Sequence, residues 1–167
     1  MDDYEMDDDE LNGIMKYEYE RVLSCGILDY GFEVKLVNDS PNEDQKDYTK
    51  WKMIMNAPED SDYKGWSYYI NVEFLKNYPY INPKFTFETP IYHCNVKDNG
   101  ELNVNWMMKG MKIDYIMPRL LTLFYLQDTS VDKDSEKSKL YESNPNEFKK
   151  NIEKNVREQA SQKKTFK

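Results

Sequence analysis

Between Trp66 and Phe74 the chain alternates without a break. Trp66, Tyr68, Ile70, Val72 and Phe74 fall on one side, and Ser67, Tyr69, Asn71 and Glu73 on the other. A period of two is the signature of a strand with one face buried and the other in water. Two earlier segments share it: Phe32-Glu33-Val34-Lys35-Leu36-Val37, and a run in which Trp51, Met53 and Met55 alternate with Lys50, Lys52, Ile54 and Asn56. A fourth candidate, residues 84–88, places Phe85 and Phe87 on one face. Polar, turn-forming segments such as residues 38–47 separate these strands, so successive strands are expected to pair as an antiparallel meander. One face of such a sheet must be covered.

The covering elements read as helices. Leu11, Ile14, Met15, Tyr19 and Val22 recur at steps of three and four, which predicts a helix with one apolar stripe ending near Cys25-Gly26. Lys16 and Glu20 lie opposite that stripe, and Arg21 lies at its edge. Pro118 suits a first helical position, and Leu120, Leu121, Leu123, Phe124 and Leu126 behind it are dense enough for a central helix packed across the sheet. Beyond Gln127 the chain is polar as far as Lys139 apart from Val131, after which Leu140 and Tyr141 give a short amphipathic turn. Asn144-Pro145-Asn146-Glu147 then opens a last helix with Phe148, Ile152 and Val156 on one side. The expected class is α+β: an N-terminal helix, a four-stranded antiparallel meander, a central buried helix and two C-terminal helices. Residues 1–10 are expected to be an acidic, solvated lead-in, 11–161 a single domain, and 162–167 a tail.

With 167 residues and a net charge of −8, the chain has the size of one domain and repels phosphate backbones. No basic stripe with interleaved aromatics is present, so nucleic acid is not expected as a partner. No apolar run approaches the roughly 20 residues that span a bilayer, and the acidic N-terminus is unlike a signal peptide. The expectation is a cytoplasmic or nuclear protein with no membrane partner. Two cysteines and one histidine supply no metal-ligand spacing and no disulfide framework, so neither metal nor cofactor is expected.

The remaining constraint is the stretch YPYINPKFTFETPIYHCNVKDNGELNV, residues 78–104. A Tyr-Pro turn leads into the Phe85/Phe87 strand. Tyr92-His93-Cys94-Asn95 and Asp98-Asn99-Gly100 then supply turns, and an extended Glu101-Leu102-Asn103-Val104 leads to Trp106. This order resembles the ubiquitin-conjugating enzymes, whose central run is a Tyr-Pro-aromatic-x-x-Pro turn, a strand, Tyr-His-Pro-Asn, a short Asn-Gly turn and a cysteine three residues after that glycine. Asn103 stands where the resemblance places the cysteine, and Cys94 where it places the proline. The resemblance implies a UBC-like fold over residues 11–161.

In that family a cysteine thiolate takes ubiquitin or a related modifier as a thioester and passes it to a lysine, work for which thiolate chemistry is suited. The lone pair of an amide nitrogen is delocalised into its carbonyl, so no acyl intermediate is expected on Asn103. The resemblance gives Asn95 the place of the amide that stabilises the oxyanion; bracing of its own loop is the competing reading. Cys94 is the alternative nucleophile, against a reading as a small buried thiol, and His93 is expected to pin the loop. Met111 and Ile113 replace a tryptophan and a proline usual beyond the site, and residues 128–138 are proline-free and a little shorter where active members carry an acidic, proline-rich stretch, so the acid that orients an incoming lysine is not assigned by the resemblance. Resemblance further nominates Lys16 and Arg21 for the activating enzyme, and Tyr80, Ile81, Lys112, Ile113 and Asp114 for ligases. The implied function is that of a catalytically inactive relative: a binding or scaffold partner of ubiquitin or a ubiquitin-like modifier and of an active conjugating enzyme or ligase. The alternatives are an active conjugating enzyme using Cys94 and a structural docking subunit.

Overall fold

Alternation in the sequence becomes register in the sheet. A computed structural model describes residues 4–160, within which β1 (Phe32–Asn38), β2 (Asp47–Asn56), β3 (Ser67–Glu73) and β4 (Lys84–Phe87) pair antiparallel in sequence order. Val34, Met53, Ile70 and Phe87 lie in one row across the sheet, so the apolar set of each strand faces the same side. The face opposite is not wholly polar. Ile54 is buried there between Glu33 and Tyr69 of the neighbouring strands, although its register position marked it as solvent-facing.

The sheet's apolar face shares one core with α1 (Asp8–Ser24), α2 (Ile113–Leu120) and α4 (Pro145–Ala160). Met15, Val22, Ile113, Ile116, Met117 and Leu120 are all fully enclosed. α3 (Glu136–Ser143) precedes α4, whose Phe148 and Ile152 are buried as their spacing requires. The helix order and the four-stranded sheet are those expected from the sequence.

Four details differ. α1 begins at Asp8, three residues before the expected start, and part of the acidic lead-in is therefore helix. Asp7 accepts a bond from the Glu10 N–H at 2.8 Å while the Glu10 carboxylate accepts from the Asp7 N–H at 3.0 Å. Acids that repel one another in a coil are favourable at the positive end of a helix, and Asp8, Asp9 and Glu10 occupy the first turn. Met6, one residue before the cap, is buried with Leu11 in the core, and the Asn77 N–H points at its sulfur, 3.4 Å away. On α1 itself Leu11, Met15 and Val22 are buried as their spacing requires, but Glu18 joins them and Ile14 is exposed, which shifts one edge of the stripe.

The central helix also starts earlier, at Ile113. Pro118 lies inside it rather than at its first turn, and a 3₁₀ turn at Leu121–Phe124 takes over directly afterwards. Proline removes one helical donor, and the burial of Ile113, Ile116 and Met117 holds the segment in place. The expected tail, residues 162–167, and the domain's end at residue 161 lie outside the described residues.

Candidate functional site

The loop between β4 and α2 is folded by a few backbone constraints. The Gly100 N–H bonds the Lys97 carbonyl at 2.8 Å and the Lys97 N–H bonds the Glu101 carbonyl at 2.9 Å, which closes a tight turn around Asn99-Gly100. The extended segment after this turn makes an antiparallel bridge to β4, Glu101 opposite Thr86. Phe87 N–H donates to the Gly100 carbonyl at 2.7 Å, and Leu102 N–H to the Phe85 carbonyl at 3.1 Å. Gly100 has φ +90°, and a Cβ there would sit 2.3 Å from the Phe87 carbonyl oxygen, so only glycine fits. This turn delivers Asn103.

Asn95 and Asn103 are brought together. The Asn103 N–H donates to the Asn95 carbonyl at 2.8 Å, and the Asn95 Nδ2 donates back to the Asn103 carbonyl at 3.2 Å. The same Nδ2 donates to the Asp128 carbonyl at 3.0 Å, and Asn95 Oδ1 accepts from the Asp128 N–H at 3.0 Å. Asn95 is buried and its amide ties three backbone segments, which is the geometry of a brace. Asn103 itself is half-buried, at the surface end of this arrangement.

His93 is enclosed. Its Nε2 lies 2.7 Å from the Leu123 carbonyl and its Nδ1 accepts from the Asn95 N–H at 2.9 Å, which makes Nε2 the protonated nitrogen of a neutral ring. Burial pulls its pKa down to about 4, so it carries no charge near neutral pH. Cys94 is buried beside Ser138 of α3, and burial pushes its thiol pKa up. That is the reverse of what an attacking thiolate needs.

Sequence reasoning missed three members of this cluster. Gln127 Oε1 accepts from the Cys94 N–H at 2.8 Å, and its Nε2 donates to the Tyr63 hydroxyl at 2.8 Å. That hydroxyl donates to the Tyr92 carbonyl at 2.6 Å, while the Tyr63 ring stacks against His93. Asp128, at the start of the proline-free segment after the central helix, is exposed, and its backbone is held by Asn95. Its carboxylate accepts from the Ser130 N–H at 3.0 Å and from the Ser130 hydroxyl. No local pattern in the sequence marks Tyr63 or Gln127, because their roles depend on contacts between residues distant along the chain.

The residues nominated for partners are scattered in their fates. Tyr80 and Ile81 are exposed, as is Lys112, the N-cap residue of α2. Ile113 is not a surface anchor: it is fully buried, because the helix begins there and its first apolar side chain belongs to the core. Arg21 and Asp114 pair with each other at 2.7 Å, and Lys16 pairs with Glu43 at 2.9 Å. Lys16 and Tyr48 hold the Glu43 carboxyl down to about 2. Beneath Arg21, buried Glu18 accepts from the Tyr78 hydroxyl at 3.0 Å, which itself accepts from the Ile113 N–H at 2.7 Å. Arg21 and Asp114 thus lock α1 to the start of α2, and Lys16 locks it to the turn before β2. Among the described residues no three His, Cys, Asp or Glu side chains converge as metal ligands, and no helix is long and apolar enough to cross a membrane.

A family model described as ubiquitin-conjugating enzyme matches residues 29–156. The chain belongs to the ubiquitin-conjugating enzyme family. Its four-stranded sheet and flanking helices are accordingly the UBC-like fold, and the Tyr-Pro turn and His93 loop lie within the matched span. The ubiquitin-conjugating enzyme E2 of African swine fever virus is 27% identical over 153 residues, covering 75% of this chain and 70% of the viral protein. Ubiquitin-conjugating enzyme E2 15 of Schizosaccharomyces pombe is 26% identical over 144 residues, 76% of this chain and 83% of the yeast protein. Similarity to the probable ubiquitin-conjugating enzyme E2 31 of Arabidopsis thaliana is more local, 38% over 56 residues. That match spans only 36% of the plant protein's length, and a probable ubiquitin-conjugating enzyme of a mimivirus is matched over 37% of its own.

Proposed function

We propose that this family member works without a catalytic thiol, as a binding or scaffold partner in the conjugation of ubiquitin or a ubiquitin-like modifier. One observation carries the reading: the backbone at position 103 is fixed by the Gly100 turn and by both bonds to Asn95, and the side chain it presents is an amide. An amide forms no thioester. The burial of Cys94 and its raised pKa weigh against a displaced nucleophile. A fold kept whole around a missing nucleophile suits recognition rather than acyl transfer. Its partners are then the modifier, an active conjugating enzyme or a ligase, met in the cytoplasm or nucleus.

The test uses purified components. Isotope-labelled protein is titrated with ubiquitin, and separately with an active conjugating enzyme, and amide shifts are followed by NMR. Saturable shifts with at least one of them are expected. Silence with both would contradict the reading in favour of a docking subunit outside modifier conjugation.

A further inference from the structure

Two hydroxyl side chains stand directly before a proline, Ser40 before Pro41 and Thr89 before Pro90. The fold treats them oppositely. Thr89 is buried, and its Oγ1 accepts from the Tyr69 N–H of β3 at 3.0 Å, which puts that hydroxyl out of an enzyme's reach. Ser40 is partly exposed in the turn from β1 to β2, between exposed Asp39 and exposed Pro41 and Asn42. Its Oγ accepts from the Asn42 N–H at 3.2 Å and donates to Gln45 Oε1 at 3.4 Å, and both contacts lie at the surface. A proline after the serine matters to an enzyme that binds its substrate as an extended strand. Pro41 offers no N–H there, which disfavours sites that need the donor and suits those shaped for the ring.

The same turn is a cluster of ion pairs. Lys46 Nζ lies 3.3 Å from Asp39 and 3.4 Å from Glu43, and Glu43 also pairs with Lys16 of α1 at 2.9 Å and accepts from the Tyr48 hydroxyl at 2.8 Å. Residues 38–48 contain Asp39, Glu43, Asp44 and Asp47 but only one cation, Lys46. A phosphate on Ser40, with more charge than a carboxylate and three acceptor oxygens, therefore competes for Lys46 with two weaker partners. Losing Lys46 leaves Glu43 with Lys16 and Tyr48, beside a new negative group.

We propose that Ser40 is a phosphorylation site for a proline-directed protein kinase, and that its phosphate takes Lys46 from Asp39 and Glu43 and so re-pairs the cluster that holds Lys16 of α1. In the transfer, Ser40 Oγ attacks the γ-phosphorus of ATP, the new O–P bond forms as the bond to the departing ADP breaks, and the hydroxyl proton passes to the kinase's base. The site is independent of what position 103 does.

The test incubates the whole protein with a kinase of the cyclin-dependent class and Mg-ATP, and locates phosphate by peptide mass spectrometry. Phosphate is expected on Ser40 and not on Thr89. Ser40→Ala should abolish incorporation, and Pro41→Ala should slow it by about tenfold or more. Both changes fall in an exposed turn, and thermal melts verify that the variants fold. Re-pairing is read by NMR titration of Glu43, whose carboxyl is held at about 2 by Lys16 and Tyr48, with Lys46 adding to them. In phosphorylated protein it is expected to titrate higher, because the phosphate keeps one negative charge at that pH and draws Lys46 away. Labelling that persists in Ser40→Ala, labelling of Thr89 in the folded protein, equal rates with Pro41→Ala, or no labelling would overturn the site. An unmoved Glu43 in phosphorylated protein would overturn the re-pairing.

Discussion

Replacing Asn95 by alanine tests whether its amide is a brace or a group held in reserve for chemistry. The change deletes three hydrogen bonds, to the Asn103 carbonyl, the Asp128 carbonyl and the Asp128 N–H, at 3.2, 3.0 and 3.0 Å. At about 1 kcal/mol net for each, the loss is about 3 kcal/mol. Asp128 is exposed, so water can recover part of what its backbone loses, and the expected range is roughly 2–3 kcal/mol. Urea unfolding followed by the fluorescence of tryptophans including enclosed Trp51 measures it. Asn95→Asp sharpens the test. It keeps the acceptor for Asp128 but sets a carboxylate against two carbonyl oxygens, which raises the folded pKa of the introduced acid. Its deficit is therefore full above that raised value and shrinks as pH falls toward the unfolded carboxyl value near about 3.9. An Asn95→Ala change within about 0.5 kcal/mol of wild type would refute the brace and leave the amide spare for another role.

Tyr78→Phe removes a hydroxyl that serves both Glu18 and the Ile113 N–H. It is expected to destabilise by about 2–3 kcal/mol in the same unfolding assay. His93 stays neutral down to about 4 in the fold, whereas an unfolded histidine takes its proton near 6.5, so its contribution is complete above 6.5 and is lost as pH falls. About 2 kcal/mol should disappear between roughly pH 7 and 5, and His93→Gln should flatten that slope. In native protein a thiol reagent is expected to find Cys25 quickly and Cys94 slowly, because only the former is exposed; Cys25→Ser should abolish the fast phase.

The strands were legible because period-two alternation is a local signal, and β1 to β4 pair in the order it implies. Ile54 escaped it: burial on the outer face depends on cross-strand neighbours that no single strand reveals. The start of α1 was misplaced because an acidic run reads as solvated coil until Asp7 and Glu10 are seen to cap each other. Pro118 misled in a similar way, since tertiary burial of Ile113 and Met117 overrides the usual position of a proline. At the site, the turn at Asn99-Gly100 follows from the motif, whereas the pairing of Asn95 with Asn103 is a contact that only the fold reveals. Gln127 and Tyr63 are likewise invisible in the sequence, being joined to the site only through the folded core. Arg21 and Asp114, individually plausible as surface charges, neutralise each other across two helices.

The central claim meets its most direct test in a charging reaction with activating enzyme, ATP and a panel of ubiquitin-like modifiers, read on non-reducing gels for wild type, Cys94→Ser and Asn103→Cys. The account expects no thiol-labile adduct on wild type or Cys94→Ser, with an adduct appearing on Asn103→Cys once a thiol stands at the end of the Gly100 turn. A thiol-labile adduct on wild type that vanishes with Cys94→Ser would contradict it and make this chain an active conjugating enzyme with its nucleophile displaced.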